Sequence, residues 1–177
     1  MRQRLLAAAA ELIPERGWTA VSTRVLAERA GVTPSVVHYH FPSLPALLRE
    51  AATGAMRQVL AGAVPALEAA ETPDELVDGL FGAVAAYDGA DPLSLLFVET
   101  YLAATRDPEL RAQIAALLAE FRARLGDWLV VRGVPEPAAT AEVLAATVDG
   151  LLLHRGLASN ADPAAVVAVV RRLLVPG

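Results

Sequence analysis

Apolar residues recur every three or four positions along most of the chain, rather than alternating with polar ones. This spacing places apolar side chains on one face of an α-helix, which turns once every 3.6 residues or so. Glycine and proline, often beside an Asp, Ser or Thr, divide the pattern into segments, as helix ends do. The sequence therefore predicts an all-α protein of about nine helices.

The predicted helices span residues 2–16, 22–30, 33–40, 43–64, 73–87, 92–105, 107–132, 138–157 and 163–175. Thr33 followed by Pro34 supplies an N-cap and a first-turn proline for the third helix. Arg132-Gly133-Val134-Pro135 is a strong stop for the seventh, because glycine, an apolar residue and proline follow one another. The fourth helix is expected to end at Val64, before Pro65.

The second and third predicted helices are short, and Ala30-Gly31-Val32-Thr33 joins them. This length and turn chemistry are those of a helix-turn-helix, in which glycine permits the tight reversal. Val25, Leu26, Val32 and Val37 are spaced to form the small core that holds the two helices at a fixed angle. The pattern thus predicts a DNA-binding module.

The outer face of this module would meet the DNA. The residues left to face a major groove are Pro34, Ser35, Val36, His38 and Tyr39. Thr23 and Thr33 stand at helix N-termini, where unpaired N–H groups favour phosphate. His38 and His40 are two positions apart on a helix and point about 200° apart, so a shared metal ion is not expected.

The segment GWTAVSTRVLAERAGVTPSVVHYHFPSLPALL resembles the DNA-binding domain of TetR family transcriptional regulators. The likeness lies in a glycine-aromatic pair, a threonine-led second helix, AGV and an ending like Tyr-x-His-Phe, in that order. It covers residues 2–50 closely, and VDGLLLHRGL more loosely resembles the regulatory domain of BetI-like members. The resemblance implies an N-terminal three-helix helix-turn-helix domain, followed by a helical bundle for ligand binding and dimerisation.

Position by position, the resemblance also implies roles for single residues. Arg24 would read a base edge, and arginine suits a bidentate contact to guanine. The residues implied to lie against bases are Pro34, Ser35 and Val36, and those implied to hold phosphates are Thr23, His38, Tyr39 and His40. One position departs from the family pattern, because Leu44 stands where a phosphate-gripping lysine is common.

Charge is distributed unevenly along the chain, whose overall net charge is -5. Residues 1–50 hold six Arg and four Glu, giving +2, and residues 51–177 hold nine Arg and sixteen acidic residues, giving -7. A basic DNA-facing module on an acidic body has this asymmetry. We therefore expect a DNA-binding domain over 1–50 and a ligand-binding and dimerisation domain over 51–177.

A ligand pocket is expected among aromatic side chains of the C-terminal part, although helical spacing of aromatics is also typical of plain core. The candidates are Phe81, Phe97, Tyr101, Phe121 and Trp128. Glu99 interrupts an apolar run, so its carboxylate needs a partner. An internal arginine or hydroxyl is favoured, and a ligand remains open. His154 is either a hydrogen-bonded core histidine or a ligand contact.

A homodimer is expected from the eighth helix, whose apolar surface a single chain cannot cover. The predicted interface residues are Leu144, Val148, Leu151, Leu152 and Leu153. Gly150 allows close helix approach. In relatives the last two helices pair with their copies, and two-fold symmetry would place the recognition helices about 34 Å apart on a palindromic operator.

Other classes of function find little support in the sequence. There is no cysteine, and no nucleophile elbow, phosphate loop or zinc helix of the enzyme motifs, so neither an enzyme nor a cofactor is expected. The start lacks a signal-peptide pattern and no stretch is long enough to span a membrane, which favours the cytoplasm. The expected partners are operator DNA, a second copy and a largely apolar effector. The alternative is a constitutive DNA-binding protein without sensing.

Overall fold

The computed structural model describes residues 1–85, 87–157 and 162–174. Within them every element is helical. The helices are α1 (Arg2–Arg16), α2 (Thr23–Arg29), α3 (Pro34–His40), α4 (Leu44–Ala69), α5 (Pro73–Ala85), α6 (Pro92–Ala104), α7 (Pro108–Val131), α8 (Pro137–Gly156) and α9 (Pro163–Arg172). A single 3₁₀ turn, Trp18–Ala20, follows α1. None of the helices in these ranges combines the length and apolar character needed to cross a lipid bilayer.

Contacts along the chain define two compact units. The first comprises Met1–Gln58 and Pro92–Ala115, and the second comprises Val59–Asp91 and Ala116–Gly177. Two long helices, α4 and α7, contribute a segment to each. In the first unit α6 packs against α1, so the N-terminal helices are not its only part. The functional division at residue 50 stays a prediction.

The first unit is built on an apolar stripe of α1 with Leu5, Ala9, Leu12 and Ile13, all fully buried. These positions repeat at three- and four-residue spacing, as one helix face requires. The stripe packs on buried residues of the helices around it, which include Leu26, Ala27, Val37, Phe41, Leu47, Leu48, Ala52 and Leu96.

The second unit has its own apolar core, built from both of its chain segments. The core residues are Leu67, Ala70, Leu76, Val77, Phe81, Leu125, Trp128, Leu129, Val134, Ala141, Leu144, Val170 and Leu174. Gly133 ends α7 in a left-handed conformation at φ 69°. The N–H of Gly133 donates to Val130 O and that of Val134 to Leu129 O. This pattern is a Schellman motif, which the glycine-valine-proline stop predicted.

The predicted end of the fourth helix is wrong, because α4 continues past Val64 to Ala69 with Pro65 inside it. Proline removes one helical hydrogen bond and usually bends or ends a helix. Here the turns after Pro65 are held by burial of Leu67 and Ala70 in the second core. All other predicted helix ends lie within three residues of those observed, which is the ordinary uncertainty of helix boundaries.

Trp128 of α7 and Arg132, which directly follows α7, cap the end of α4. The indole N–H of Trp128 donates to the carbonyl oxygen of Ala70 at 3.2 Å. The guanidinium of Arg132 donates to the same oxygen at 2.7 Å and to Glu71 O at 3.2 Å, and it stacks 3.8 Å over the Trp128 ring. A cation is favourable at the carbonyl end of a helix, so these contacts stabilise the turns after the proline.

Candidate nucleic-acid interface and predicted pocket residues

The helix-turn-helix forms as predicted. Ser22 caps α2 by accepting from the N–H of Val25 at 3.3 Å. Gly31 has a φ of 61°, its N–H donates to Glu28 O, and the N–H of Val32 donates to Ala27 O. These bonds form a second Schellman motif, which turns the chain from α2 toward α3.

The small core of this motif also matches the prediction. Leu26 and Val37 are buried, and Val25 and Val32 pack partly against the same cluster. Val37 is the single buried residue of α3. One face of α3 is therefore fixed to the domain, and the rest of its surface is free to meet DNA.

Outward-facing residues of α3 form one surface. Pro34, Ser35 and His38 are exposed, Val36 and His40 are half-buried, and Tyr39 is 85% exposed. The Tyr39 and His40 rings meet edge to face with centroids 5.1 Å apart. An exposed aromatic ring beside two imidazoles can offer hydrogen bonds and stacking to a partner, and it takes no part in the core.

The N-terminal ends of α2 and α3 complete the surface. Thr23 is half-buried at the start of α2, and Arg24 next to it is exposed. Thr33 is the N-cap residue of α3, but its hydroxyl bonds Ser35 Oγ at 2.8 Å. All nine residues predicted to bind DNA thus belong to α2, α3 or the turn between them, and their roles toward DNA stay a prediction.

Most arginines of residues 1–50 are engaged within the protein. Arg2 pairs with Glu50, Arg29 with Glu11 and Glu15, Arg49 with Asp107, and Arg4 with backbone carbonyls. The hydrogen bond from Arg29 lowers the pKa of Glu15 below its ordinary value. The exposed arginines that remain are Arg16 and Arg24. Fewer arginines are therefore available for phosphate than the count of six suggests.

Glu99 has an internal partner, although neither an arginine nor a hydroxyl. Its carboxylate accepts a hydrogen bond from the backbone N–H of Trp18 at 2.7 Å. Gly17 lies beside this carboxylate and has a φ of 83°, a positive value that favours glycine. Glu99 therefore ties α6 to the 3₁₀ turn that precedes α2 within the first unit.

The predicted pocket residues are divided between the two units. Phe97 and Tyr101 are half-buried on α6 in the first unit, and their rings meet edge to face at 6.4 Å. In the second unit Phe121 packs partly against the core. Packing in that core accounts for Phe81 and Trp128 without a ligand. A pocket formed by these side chains stays a prediction.

His154 is exposed on α8, which corrects the expectation of a core histidine. Its neighbours carry the structural role. Arg155 donates to Val84 O at 2.7 Å and Tyr87 O at 3.2 Å, so it caps the C-terminal end of α5. Gly156 contacts the backbone of Gly89 so closely that a Cβ on it would lie 2.6 Å from Gly89 O. The sequence analysis singled out His154 and did not predict the contacts of Arg155 and Gly156.

The predicted dimer residues differ in how far they reach the surface of their own chain. Leu144 is 1% exposed and belongs to the second core, which corrects its assignment to an interface. Val148 and Leu151 pack partly against that core, Leu152 is half-buried, and Leu153 is 45% exposed. Sequence reasoning missed further exposed apolar residues, which are Val143 on α8, Val169 on α9, and Leu157 and Leu173 directly after these helices.

An ion pair joins α4 to the start of α7 within the first unit. Arg49 Nε lies 2.7 Å from Asp107 Oδ2, and Asp107 Oδ1 accepts from the N–H of Leu110 at 3.0 Å. Burial works to raise the pKa of Asp107, but the Leu110 N–H and the Arg49 guanidinium outweigh it, so the pKa lies below its ordinary value. Asp107 therefore stabilises the fold in its charged form.

We expect Asp107→Asn to lower the free energy of unfolding by about 1 kcal/mol at neutral pH. Asparagine caps a helix about as well as aspartate, so the variant removes mainly the ion pair. Because folding lowers this pKa, the stabilisation is present above the unfolded pKa near 3.8 and is lost as pH falls through the folded value. Denaturant unfolding of both proteins should therefore show the difference shrinking below about pH 4. A difference that is constant with pH would contradict this.

A helix-turn-helix with an exposed second helix, in a protein whose described elements are all helical, is typical of DNA-binding transcriptional regulators. Residues 5–51 match the model of bacterial regulatory proteins of the tetR family, and residues 71–176 match the tetracyclin repressor-like C-terminal domain. The protein belongs to the TetR family of transcriptional regulators, as its sequence predicted, and is not an enzyme.

Individual relatives agree with this membership. The chain is 29% identical over 163 residues to the HTH-type transcriptional regulator BetI of Rhizobium meliloti (strain 1021), covering 89% of this chain and 79% of that one. SCO7518 of Streptomyces coelicolor A3(2), assigned as a transcriptional regulator, has a similar structure, with a TM-score of 0.84, 31% identity and coverage of 99% and 98%. The structure of the multidrug binding protein EbrR complexed with imidazole is also similar, with a TM-score of 0.75 and 32% identity, covering 99% of this chain and 90% of that one. EbrR also has a structure with malachite green.

Proposed function

We propose that this protein is a cytoplasmic repressor that binds a palindromic operator as a homodimer and releases it when a small, largely apolar molecule binds. The observation that carries the proposal is the outer surface of α3, in which Val37 is buried, Val36 and His40 are half-buried and the other four residues are exposed. A helix of this kind is the element that enters a major groove in helix-turn-helix proteins.

On this surface some residues would contact DNA bases and others would contact phosphates. Arg24 would read a guanine edge, and Pro34, Ser35 and Val36 would lie against base edges, where apolar atoms favour thymine methyl groups. Around them, the hydroxyl groups of Thr23 and Thr33 and the side chains of His38, Tyr39 and His40 would hold phosphates. Phosphate contacts fix the register, whereas base contacts determine the sequence.

Exposed apolar residues of the second unit support the proposed dimer. Leu153 on α8 with Leu157 just after it, and Val169 on α9 with Leu173 just after it, leave apolar side chains open to solvent in a single chain. Scattered exposed leucines need no explanation, but several on the two last helices of a unit favour a partner. A second copy would cover them by two-fold symmetry, which a palindromic operator matches.

The path of α4 and the hydrogen bond of Glu99 support a response to an effector. α4 begins four residues after α3 ends and extends to Ala69, so a tilt of α4 would move α3. Glu99 joins α6 to the turn before α2. Phe97 and Tyr101 lie one turn apart on α6 with their rings in contact, and we propose that they contact the effector. The complexes of EbrR with imidazole and malachite green make aromatic, cationic compounds the first probes. A tenfold loss of operator affinity requires about 1.4 kcal/mol of coupling.

The test starts from an operator selected by the protein itself from a random double-stranded DNA pool. The complex should contain two chains per operator by light scattering. Malachite green, imidazole and a panel of metabolites are then tested for release. We expect Phe97→Ala to need more of an active compound than the native chain does. Glu99→Gln is a second test variant, which removes the charge while its amide oxygen can still accept the Trp18 N–H.

The outcomes separate the proposals. A chain that selects no DNA sequence would contradict the repressor function. A complex with one chain would contradict the dimer. Compounds that bind, by calorimetry, yet leave operator affinity unchanged would favour the constitutive DNA-binding alternative. If Glu99→Gln loses release of the cationic dye alone, Glu99 contacts the ligand and is more than a tether.

A further inference from the structure

Arg4, near the start of α1, donates hydrogen bonds to the backbone of the turn between α2 and α3. Its Nε donates to the carbonyl oxygen of Ala30 at 2.9 Å, and one terminal nitrogen donates to Ala30 O and, at 3.1 Å, to Gly31 O. An arginine near the start of a chain is otherwise a solvated side chain or, in a DNA-binding protein, a phosphate contact. We propose instead that Arg4 is a positioning residue for the recognition helix, an inference that rests on the proposed DNA-binding function.

The carbonyls that Arg4 binds determine the path of the chain into α3. Ala30 is the C-cap residue of α2, and the last carbonyls of a helix have no partner within it. Ala30 and Gly31 lead directly to Thr33, the N-cap of α3. A planar guanidinium can bind two adjacent carbonyl groups at once, and thereby fixes their relative orientation.

The turn leaves just enough room for this contact. A Cβ added to Gly31 would lie 3.3 Å from the terminal nitrogen of Arg4, which is tighter than a relaxed contact. The left-handed φ of 61° at Gly31 favours glycine as well. The turn therefore closes directly over the guanidinium, and Arg4 and Gly31 act as a pair.

The recognition helix depends on this turn because its own anchor is small. α3 has seven residues, of which Val37 alone is buried. Val37, the buried C-cap residue Phe41 and two flanking turns hold α3, and so short a helix can change its angle when one turn loosens. Contacts to base edges require the helix at a defined angle, whereas phosphate contacts tolerate small shifts. Losing Arg4 should therefore reduce discrimination between sequences before it reduces general affinity.

The experiment compares Arg4→Ala with Arg16→Ala, which removes the same charge from an exposed position of α1. Affinities for the selected operator and for an unrelated duplex are measured between about 50 and 200 mM salt, at a temperature where circular dichroism shows each variant folded. We expect Arg4→Ala to lose about tenfold in operator affinity, with little change on the unrelated duplex or in the salt slope. Arg4→Lys should restore only part of the loss, since an ammonium lacks the planar fork.

Each alternative predicts another pattern. A phosphate-binding Arg4 would lower affinity for both duplexes and reduce the salt slope by about 0.9. A role in stability alone would lower the denaturation midpoint and leave the operator affinity of the folded variant unchanged. Either result overturns the proposal. If the native chain itself prefers no sequence, the proposed repressor function fails instead, which the native measurement shows directly.

Discussion

Replacing Gly89 by alanine is expected to lower the free energy of unfolding by about 2–5 kcal/mol. A left-handed backbone costs a non-glycine residue about 1–2 kcal/mol, and forcing a side chain into a filled space costs about 1–3 kcal/mol. Gly89 meets both conditions, because its φ is 82° and its surroundings are closed. It lies in the loop between α5 and α6 and belongs to the second unit.

The neighbours of Gly89 cannot move aside easily. An added Cβ would lie 2.3 Å from the backbone nitrogen of Gly156 and 2.4 Å from the carbonyl oxygen of Leu152. Both atoms belong to the last turn and a half of α8, whose geometry is fixed by its own hydrogen bonds. The substitution would therefore separate the loop from α8, together with the cap that Arg155 provides for α5.

Gly82→Ala is the matched control. Gly82 is an exposed residue of α5 in the same unit, and a Cβ there would meet nothing within 4 Å. Since alanine favours a helix interior over glycine by about 1 kcal/mol, this variant should be as stable as the native chain or slightly more so. Denaturant unfolding of the three proteins makes the comparison. Equal stability of the two variants would mean that the loop does not rest on α8.

Features set by neighbouring residues were predictable from the sequence. The stop at Gly133 and the turn at Gly31 were recognised because glycine is nearly the only residue that adopts those angles at low cost. The spacing of Val25, Leu26, Val32 and Val37 identified the core of the helix-turn-helix for the same local reason. The family resemblance added an expected function to a fold that the helical period had already indicated.

Features set by distant residues were not predictable. α4 passes through Pro65 because Trp128 and Arg132 cap its end, and nothing near the proline indicates them. Glu99 was recognised as a carboxylate that needs a partner, but the partner is a backbone N–H 81 positions earlier in the chain. A backbone group has no residue-specific signature, so no sequence pattern could have named it.

Which apolar residues of a helix are buried in its own chain and which are exposed was also not predictable. A run of leucines in α8 predicted an apolar face, yet Leu144 points into its own core while Leu153 is exposed. One helix can bury one face within its chain and offer another to a partner, and composition does not separate the two. The count of six arginines in residues 1–50 likewise does not show which of them are paired, as Arg2, Arg29 and Arg49 are.

We expect Arg24→Ala to cost about 1–3 kcal/mol of operator affinity and to relax base preference at one position in each half-site. Arg24 is exposed at the second position of α2, whereas Arg29, which lies nearer to α3 in sequence, pairs with Glu11 and Glu15. The other arginines of the first 50 residues are engaged within the fold, apart from Arg16 on α1. Base reading by arginine therefore depends on Arg24.

The measurement compares the selected operator with operators changed at one base pair at a time. Loss of a bidentate contact to guanine should leave Arg24→Ala indifferent at one position per half-site, while discrimination at all others is retained. Arg24→Lys keeps the charge but not the fork of two parallel donors, so it should regain part of the general affinity without the base preference. If Arg24→Ala weakens every sequence equally and Arg24→Lys restores full affinity, Arg24 binds phosphate alone. Sequence reading would then fall to Pro34, Ser35 and Val36, whose contacts favour thymine methyl groups over guanine edges.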